Sequence, residues 1–528
     1  MIKSIKKNYL FFSFLFIYII IGSYLSLQTG ISHDEIHENN NWIVNFSAIK
    51  DFFNTGSYDS LLNYKDKYHG IAFQFISQPV QFFLKSLLID NSLVTEFGAL
   101  LLSKHPVVFI FFSVSGIFYY LIIFKITDSR NFSFATTVIY LIYPYLFGHA
   151  QFNPKDIPFL SFWIINTFFS LKLIENFYYE KKINLNSIIL ISFLTAFLVS
   201  IRIVGLLIFI QYFISLIIYF EKTKVNFLKF LKINISNIIS FILLFFLFIY
   251  ILNPIFWHNP LEILNSIKWM SKYPQNIGTL TNGSLMYSLS LPSSYYFIWL
   301  FYKLPIIIIV GYLLYPFVES TIFKNDIVTI YYGTITIIAP IILVIFILMD
   351  VAVYDELRHL LFIVPLIFIT ATINIFYFKI KIIRALIPLT IIFFIFENFS
   401  LNPYQYTWLN SFAKFKDIEK NFEIDYWGIS NRSLQKQIIN YVDKNQIDKN
   451  ICIFGDKFTK DFLMPSSFQC FKNYTQIDSQ NKKPFIAYQN LRNVRRSNLQ
   501  DCELIWDETY QYSFYKNKIS VGSLWICN

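Results

Sequence analysis

Apolar segments of about the length needed to cross a membrane recur along this chain, and they constrain its fold more than any other feature. A membrane-spanning helix needs roughly 20 mostly apolar residues. About eleven segments meet that requirement. This pattern predicts an all-α polytopic membrane protein. The segments lie near 8–27, 105–125, 132–148, 157–174, 186–201, 203–220, 233–252, 297–318, 327–349, 359–378 and 382–399.

The composition agrees with a membrane protein and argues against a nucleic-acid-binding protein. Hydrophobic residues make up 55% of the 528 residues and charged residues 15%, whereas charged residues are about a quarter of a soluble domain. The net charge of +11 is explained by basic residues that collect in cytoplasmic loops of membrane proteins. We therefore expect membrane lipids, and not nucleic acid, as partners of this chain.

The lysine and arginine residues predict the orientation of the chain in the membrane. They lie before the first predicted span and after the second, fourth, sixth, eighth and tenth, so these connections share one side. Basic loops mark the cytoplasmic side, which places the N-terminus inside and, with an odd number of spans, the C-terminal tail outside. We expect an integral, multi-pass protein of the cytoplasmic (inner) membrane. The residues are Lys3, Lys6, Lys7, Lys125, Arg130, Lys181, Lys182, Lys222, Lys224, Lys229, Lys324, Lys379, Lys381 and Arg384.

A change in composition near residue 400 predicts two domains. Residues 1–400 form the transmembrane domain, with a long outer loop at 28–104. Within that loop, 71–88 is apolar but carries glutamine residues, which is typical of a helix lying in the membrane interface. Residues 401–528 lack a span-length apolar run and predict a small extracytoplasmic α/β domain.

Local patterns predict the elements of that tail. Residues 430–444 have the pattern of an amphipathic helix capped by Ser430 or Asn431. Short strands are predicted at 450–456, 483–489 and 519–527.

All of the cysteine residues lie in the tail, at Cys452, Cys470, Cys502 and Cys527. An even number of cysteines in a domain outside the cytoplasm predicts two disulfide bonds in an oxidising compartment. Three connectivities are open from spacing alone. The alternative is that the cysteines are free and buried.

Polar residues that could carry chemistry gather at the predicted outer ends of the spans. The stretch ISHDEIHENN, 31–40, follows the first span and places Asp34 beside Glu35. Because residues from five outer connections share one depth, we expect a cavity between helices at the outer leaflet. The other connections supply His149, Asn153, Lys155, Asp156, Arg202, His258, Asp355, Glu356, Arg358 and His359.

These side chains favour a transfer reaction that uses a lipid phosphate. A carboxylate can accept the proton of an acceptor hydroxyl, and arginine or lysine can hold a phosphate that leaves with growing charge. Each residue also has a structural interpretation: a solvated turn (Asp34, Glu35), cations that reach lipid headgroups (Lys155, Arg202), or an ion-pair partner of a neighbouring carboxylate (Arg358).

This chemistry requires no cofactor, but two histidines raise the possibility of a metal. His33 and His37 would share one face of a helix. With Glu35 or Glu38 they could bind a divalent metal. The spacing of the two histidines is the evidence for a metal site, so a bound metal ion is an alternative at this point.

Four motifs are similar to those of the integral-membrane glycosyltransferases of the C-type fold. They are HDE (33–35), HAQFNPKDIPF (149–159), RIVG (202–205) and ELRHLLFIVP (356–365). Their order and shared side are more specific than any single motif. The membrane part, roughly 1–400, resembles in particular relatives of the dolichyl-phosphate-mannose–protein mannosyltransferases and of the lipid A aminoarabinose transferases.

The resemblance implies an inverting transfer of a sugar from a polyprenyl-phosphate-linked donor, outside the cytoplasmic membrane. It implies Asp34 as the general base with Glu35 beside it, and Asp156 as the second acidic residue of the site. Our own assignment adds residues to hold the donor phosphate, which are Lys155, Arg202 and Arg358. Further candidates for the site are His149, Asn153 and His359.

The acceptor stays open as a protein, a lipid or a glycan. The lumenal repeats with which protein mannosyltransferases bind their acceptors are not visible in this sequence. The tail instead is similar to that of some bacterial relatives, with NPYQYTWLN (402–410) and DYWG (425–428).

Two other functions fit a polytopic chain. A transporter of a lipid-linked or anionic solute is expected to have internal repeats, broken helices and charges near the bilayer midplane. The sequence has no visible repeat, and its charges lie at the outer ends of the predicted helices. An inactive binding or assembly protein would use the tail to contact a partner. We rank the transferase first and the transporter second.

Overall fold

The computed structural model describes residues 9–89, 95–179, 183–271, 275–318, 320–455, 468–477, 484–492, 499 and 502–527. Five of the basic residues used above for the orientation, Lys3, Lys6, Lys7, Lys181 and Lys182, lie outside these ranges. The α-helices are α1 Tyr9–Ser26, α2 His33–Thr55, α3 Asp59–Leu62, α4 Ala72–Ile89, α5 Glu96–Leu102, α6 His105–Thr127, α7 Arg130–Ile142, α8 Pro144–Ala150, α9 Asp156–Tyr178, α10 Leu185–Ile201, α11 Ile208–Thr223, α12 Phe227–Leu252, α13 Glu262–Ser271, α14 Ser294–Lys303, α15 Ile306–Leu313, α16 Asp326–Leu348, α17 Val364–Tyr377, α18 Leu386–Leu401, α19 Ile418–Asn421 and α20 Asn431–Lys444.

The strands are few and short, and they form two sheets. Strands β1 and β2 pair as an antiparallel hairpin, and the other five form a mixed sheet in the order β4-β3-β5-β7-β6. In that sheet β3 is parallel to both of its neighbours, whereas β7 is antiparallel to β5 and β6. The strands are β1 Gly278–Thr281, β2 Ser284–Tyr287, β3 Cys452–Gly455, β4 Phe471–Asn473, β5 Phe485–Asn490, β6 Cys502–Tyr510 and β7 Ile519–Cys527.

The long apolar helices confirm an all-α polytopic membrane protein with a small α/β region at its C-terminal end. Among the described residues, 8 helical segments are long and apolar enough to cross a membrane, or 9 if α14 and α15, which are bent by 117°, count as one span. The predicted number of about eleven is not confirmed. Segment 132–148 is divided between α7 and α8 at Pro144, and segment 186–201 is the 17-residue helix α10.

Helix α4 matches the apolar segment predicted at 71–88, and its two faces are reversed relative to a helix on a soluble protein. Its glutamines Gln74 and Gln81 are buried against the rest of the chain, while Phe82 and Phe83 are exposed. Exposed phenylalanine beside buried glutamine is the arrangement expected where apolar lipid, and not water, surrounds the outer face. The predicted position in the membrane interface stays a prediction.

The tail contains the elements that its local patterns predicted. Helix α20 and strands β3, β5 and β7 occupy the predicted segments. The apolar face of α20, with Leu434 and Ile438, packs on the sheet against Ile486 and Leu524. Ser430 precedes the helix as predicted, but its side chain makes no capping hydrogen bond, because its hydroxyl donates to the carbonyl of Val521 instead.

Two disulfide bonds join Cys452 to Cys470 and Cys502 to Cys527. The prediction of two disulfides is therefore confirmed, and the structure selects one of the three connectivities. Each bond links neighbouring strands or their ends, since β3 pairs with β4 and β6 pairs with β7.

The stretch 402–430, between the last long helix and α20, packs into the membrane part. Tyr406, Trp408 and Trp427 are buried in the same apolar core as the long helices. The approach of this stretch to α8 is close enough to require glycine, because a Cβ atom on Gly148 would lie 2.1 Å from the backbone nitrogen of Tyr406. The predicted domain boundary near 400 stays a prediction, but the stretch after it is not separate from the helices.

Candidate active site

A cavity of about 360 Å³ opens between the start of α2, the start of α9, the turn before α11 and the end of α16. Its lining residues are of two kinds, which we call the polar wall and the apolar wall. The polar wall contains Asp34, His37, Glu38, His69, Lys155, Arg202, Arg358 and His359. The apolar wall contains Ile203, Val204, Leu206, Leu207, Ile345, Phe346, Met349, Val351 and Val353. A molecule that is charged at one end and apolar at the other matches this division.

Asp34 and Glu35 are neighbours in sequence but lie in different environments. Helix α2 begins just after Ser32, which forms a capping box with Glu35. Successive residues of a helix point about 100° apart, so Asp34 faces the cavity when Glu35 faces the interior. The Asp34 side chain is 34% exposed and its Oδ2 atom lies 3.1 Å from Nη1 of Arg358.

Glu35 is sealed behind the cavity wall. One carboxylate oxygen accepts hydrogen bonds from the backbone nitrogen and hydroxyl of Ser32, at 2.6 and 2.9 Å. The other lies 2.6 Å from Nε2 of His105. The side chain does not line the cavity, contrary to the predicted placement beside Asp34 in the site. Its contacts are those of a helix cap, and we do not retain it in the proposed site.

Asn153 organises the start of α9. Its Oδ1 atom accepts hydrogen bonds from the backbone nitrogens of Lys155 and Asp156, at 3.2 and 2.9 Å. Its Nδ2 atom donates to Oδ2 of Asp156 at 3.0 Å and lies 3.1 Å from Nδ1 of His149. Asp156, Asn153 and His149 are buried and stand behind the cavity wall rather than on it.

Arg202 connects this buried group to the cavity. Its guanidinium pairs with Oδ1 of Asp156, and the arginine itself lines the cavity. The predicted acidic residue Asp156 therefore does not line the cavity itself but pairs with Arg202, which does. Asp34, Asp156 and Arg358 converge on one region, as the sequence predicted, with Arg202 between Asp156 and the open space.

Lys155 lies on the polar wall and is held by three oxygen atoms. Its Nζ lies 2.9 and 3.1 Å from the two carboxylate oxygens of Glu38 and 2.9 Å from the carbonyl oxygen of Gly70. Burial alone would raise the pKa of Glu38, but the nearby Lys155 and His69 together hold it below its usual range. The Glu38 carboxylate thus stays ionised beside the lysine.

Arg358 is the most enclosed cation of the polar wall, with a side chain that is 5% exposed. Its guanidinium lies over the rings of Tyr354 and Trp427, 4.8 and 4.6 Å from their centroids. Its Nε donates to Nε2 of His359 at 3.2 Å. The two rings and the histidine fix the plane of the guanidinium, so that its contact with Asp34 occurs at the cavity surface.

One group of side chains at the cavity could hold a divalent cation. His37, Asp66 and His69 each offer a ligand atom, and these atoms lie within 4.8 Å of one another. Imidazole nitrogen and carboxylate oxygen are zinc ligands in proteins. Among the described residues, this group does not include His33, which lies near Gly428 in the tail. A metal held by His33 and His37 stays a prediction.

Several residues of the site were missed at the level of sequence. Asp66 and His69 stand three residues apart in a non-helical turn, where that spacing carries little weight. Glu38 was named only as a weak metal ligand, although it is the partner of Lys155. Trp427 lies 69 positions from Arg358 in the chain, and no local pattern connects them.

No family model matches this chain, and no curated protein matches its sequence at a significant level. Among solved structures, the crystal structure of ArnT from Cupriavidus metallidurans in the apo state matches at 10% sequence identity with a TM-score of 0.46. The match covers 91% of this chain and 92% of that chain.

Proposed function

We propose that this chain is a membrane glycosyltransferase that moves a sugar from a polyprenyl-phosphate-linked donor to an acceptor hydroxyl on the outer side of the cytoplasmic membrane. The observation that carries the proposal is the cavity itself: its lining combines Asp34 and three cations with a set of apolar side chains. A polyprenyl phosphate has the matching shape, with an anionic end and a hydrocarbon chain. The four sequence motifs contribute residues to the cavity or to its immediate support.

The proposed reaction uses Asp34 as the general base. Its carboxylate accepts the proton of the acceptor hydroxyl, and the oxygen forms a new bond to the anomeric carbon of the sugar. The bond from that carbon to the phosphate oxygen breaks on the opposite side, which inverts the configuration. The polyprenyl phosphate leaves with the bonding electron pair.

The cations of the polar wall stabilise the charge that grows on the leaving phosphate. Arg202 and Arg358 are each fixed by a carboxylate, Asp156 and Asp34 respectively. A guanidinium fixed in advance stabilises developing charge without reorganisation during the reaction. Lys155 adds a third positive charge at the same wall.

One observation favours a transporter, namely the bend of 117° between α14 and α15. Broken helices of this kind hold the substrate in many transporters. Among the residues that line the described cavity, however, none comes from α14 or α15. The transferase therefore remains the function that the cavity supports best.

A divalent cation is a further proposal for this site, held by His37, Asp66 and His69. It would neutralise negative charge beside Asp34 and Glu38. Dialysis against a chelator, followed by measurement of zinc content and of donor turnover, tests whether the protein holds the ion and needs it.

The decisive test is sugar transfer in proteoliposomes with a panel of polyprenyl-phosphate donors. We expect Asp34→Asn to lower turnover on the order of 10²–10⁴-fold, the usual contribution of a general base, while donor binding persists. Asp51→Asn is the matched control, because Asp51 lies on the same helix and is exposed. Equal turnover in the native chain and Asp34→Asn would remove Asp34 as base. Absence of turnover in the native chain across the panel would favour the transporter.

A further inference from the structure

The loop that carries Arg358 has an unusual backbone. Asp355 and Glu356 both have positive φ angles, 56° and 64°. A residue other than glycine in this conformation costs on the order of 1–3 kcal/mol and persists only where its surroundings hold it. Two such residues in succession, three and two positions before Arg358, indicate that other parts of the protein hold this loop in place.

Arg492, from the tail, holds the loop from outside the cavity. Its guanidinium pairs with Oδ1 of Asp355. Its Nε lies 3.2 Å from a carboxylate oxygen of Glu423, and Nη2 donates to the carbonyl of Gly278 at 3.3 Å. One side chain therefore joins the tail, the β1–β2 hairpin and the loop.

The partners of Arg492 are themselves fixed. Glu423 is buried, and one of its oxygens accepts a hydrogen bond from the backbone nitrogen of Leu280 at 2.7 Å. The backbone nitrogen of Asp355 donates to the hydroxyl of Thr279 at 2.9 Å. The carbonyl of Arg492 accepts from the nitrogen of Ile424 at 3.0 Å. The guanidinium is thus anchored to rigid groups on each side.

The opposite oxygen of Asp355 extends the connection to the cavity. It lies 3.3 Å from Nη1 of Arg358, which in turn lies 3.1 Å from Asp34. The contacts form a chain from Glu423 through Arg492, Asp355 and Arg358 to Asp34. Arg492 itself does not line the cavity.

We propose that Arg492 and Glu423 form a positioning clamp by which the C-terminal tail sets the place of Arg358 on the cavity wall. Arg492 is a positioning residue in this proposal, which rests on the proposed function of Arg358 as a ligand of the donor phosphate. Asp355 is shared between two arginines. Without Arg492, the negative charge of Asp355 would act on Arg358 alone and draw the Arg358 guanidinium away from the donor phosphate.

Kinetics with the donor distinguish positioning from general folding. We expect Arg492→Ala to raise the KM for the donor about tenfold, with a smaller fall in kcat, since a charged hydrogen bond contributes on the order of one to two factors of ten. Arg492→Lys should recover part of the loss, because an ammonium can reach one of the two carboxylates but not both at once. A variant that merely loses folded protein would lower kcat and leave KM unchanged.

Lys420→Ala is the matched control. Lys420 is an exposed cation of the same tail, paired with Asp417 at 2.9 Å, and exposed pairs contribute little to stability. Its kinetic constants should equal those of the native chain. Native values of KM in Arg492→Ala, or a fall in kcat alone, would overturn the clamp.

Hydrogen exchange tests the clamp without the reaction. In Arg492→Ala, amides of 353–359 should exchange about tenfold faster than in the native chain, because loss of a buried contact lowers the cost of local opening; Lys420→Ala should match the native chain. Unchanged exchange in Arg492→Ala would overturn the clamp. Faster exchange in Arg492→Ala, together with no turnover of any donor by the native chain, would retain the clamp and reject the proposed function instead.

Discussion

The cavity wall and the interior behind it both contain pairs of acidic and basic side chains, but the two regions differ in what can reach them. On the wall, Asp34 is 34% exposed beside Arg358. In the interior, Lys303 and Glu356 are both 0% exposed and lie 2.6 Å apart. A wall pair can exchange its partner for a ligand, whereas a sealed pair cannot be separated without leaving a bare charge. Access from the cavity, more than charge, distinguishes the two regions.

The largest expected effect on stability lies in the interior. Lys303→Met should lower the free energy of unfolding by about 3–5 kcal/mol, because it leaves the Glu356 carboxyl buried without its cation. Thermal unfolding of the purified protein in detergent measures this loss. The double variant with Glu356→Gln is the control and should regain much of the stability. A loss below about 1 kcal/mol in the single variant would mean that the interior pair behaves like a surface pair.

An intermediate effect is expected at the wall. Arg202→Lys keeps the charge beside Asp156 but loses the planar guanidinium, which can hold two oxygens of a phosphate at once, so the KM for the donor should rise about tenfold. Thermal stability should change little. Arg130→Lys is the control, since Arg130 is an exposed residue at the start of α7. A large fall in stability without a change in KM would assign Arg202 to the structural group.

Substitution of Glu35 tests whether this buried residue has a structural role, like the interior pair, or a catalytic one, like Asp34. Glu35→Gln should lower stability by about 1–3 kcal/mol, the cost of leaving buried partners such as His105 unsatisfied. The rate per folded molecule should remain close to native, unlike that of Asp34→Asn. Turnover normalised to the folded fraction provides the measurement. A fall in that rate as large as in Asp34→Asn would return Glu35 to the catalytic group.

A further effect is a dependence of stability on pH. Burial raises the pKa of Glu423 to about 7. A carboxyl whose pKa is raised on folding favours the native state while protonated. The contribution of Glu423 to stability should therefore be full below about pH 4.5, decline as the pH rises through 7, and then level off. The unfolding temperature of Glu423→Gln should vary less with pH than that of the native chain, and an equal slope would contradict the shift.

Local features of the fold could be predicted because they depend on neighbouring residues. Helix α20 and strands β3, β5 and β7 follow from short patterns, and the two disulfides follow from the number and placement of cysteines. The break at Pro144 was missed, although proline was visible there, because the surrounding segment is apolar enough to suggest one continuous span. The connectivity of the cysteines was open because it depends on which strands become neighbours in the sheet.

In the site, residue types could be predicted more readily than partners. Asp34, Arg202 and Arg358 lie at the cavity as expected. Glu35 does not line the cavity, and the sequence could not show this, because the direction of its side chain depends on how His105 and Ser32 pack around it. His69 and Asp66 were missed because a turn, not a periodic element, brings them to His37.

The sequence by itself determined the fold class, the membrane-spanning character, the residue types that line the cavity and the disulfide-bonded tail. Each of these follows from composition, from apolar length or from spacing within a few residues. Only the tertiary structure decided that Arg492 contacts Asp355, 137 positions away. It also decided that Asp34 lines the cavity while Glu35 is buried beside His105. The physical reason is that the pairing of a charged group depends on burial and distance in space, and neither is set by neighbours in the chain.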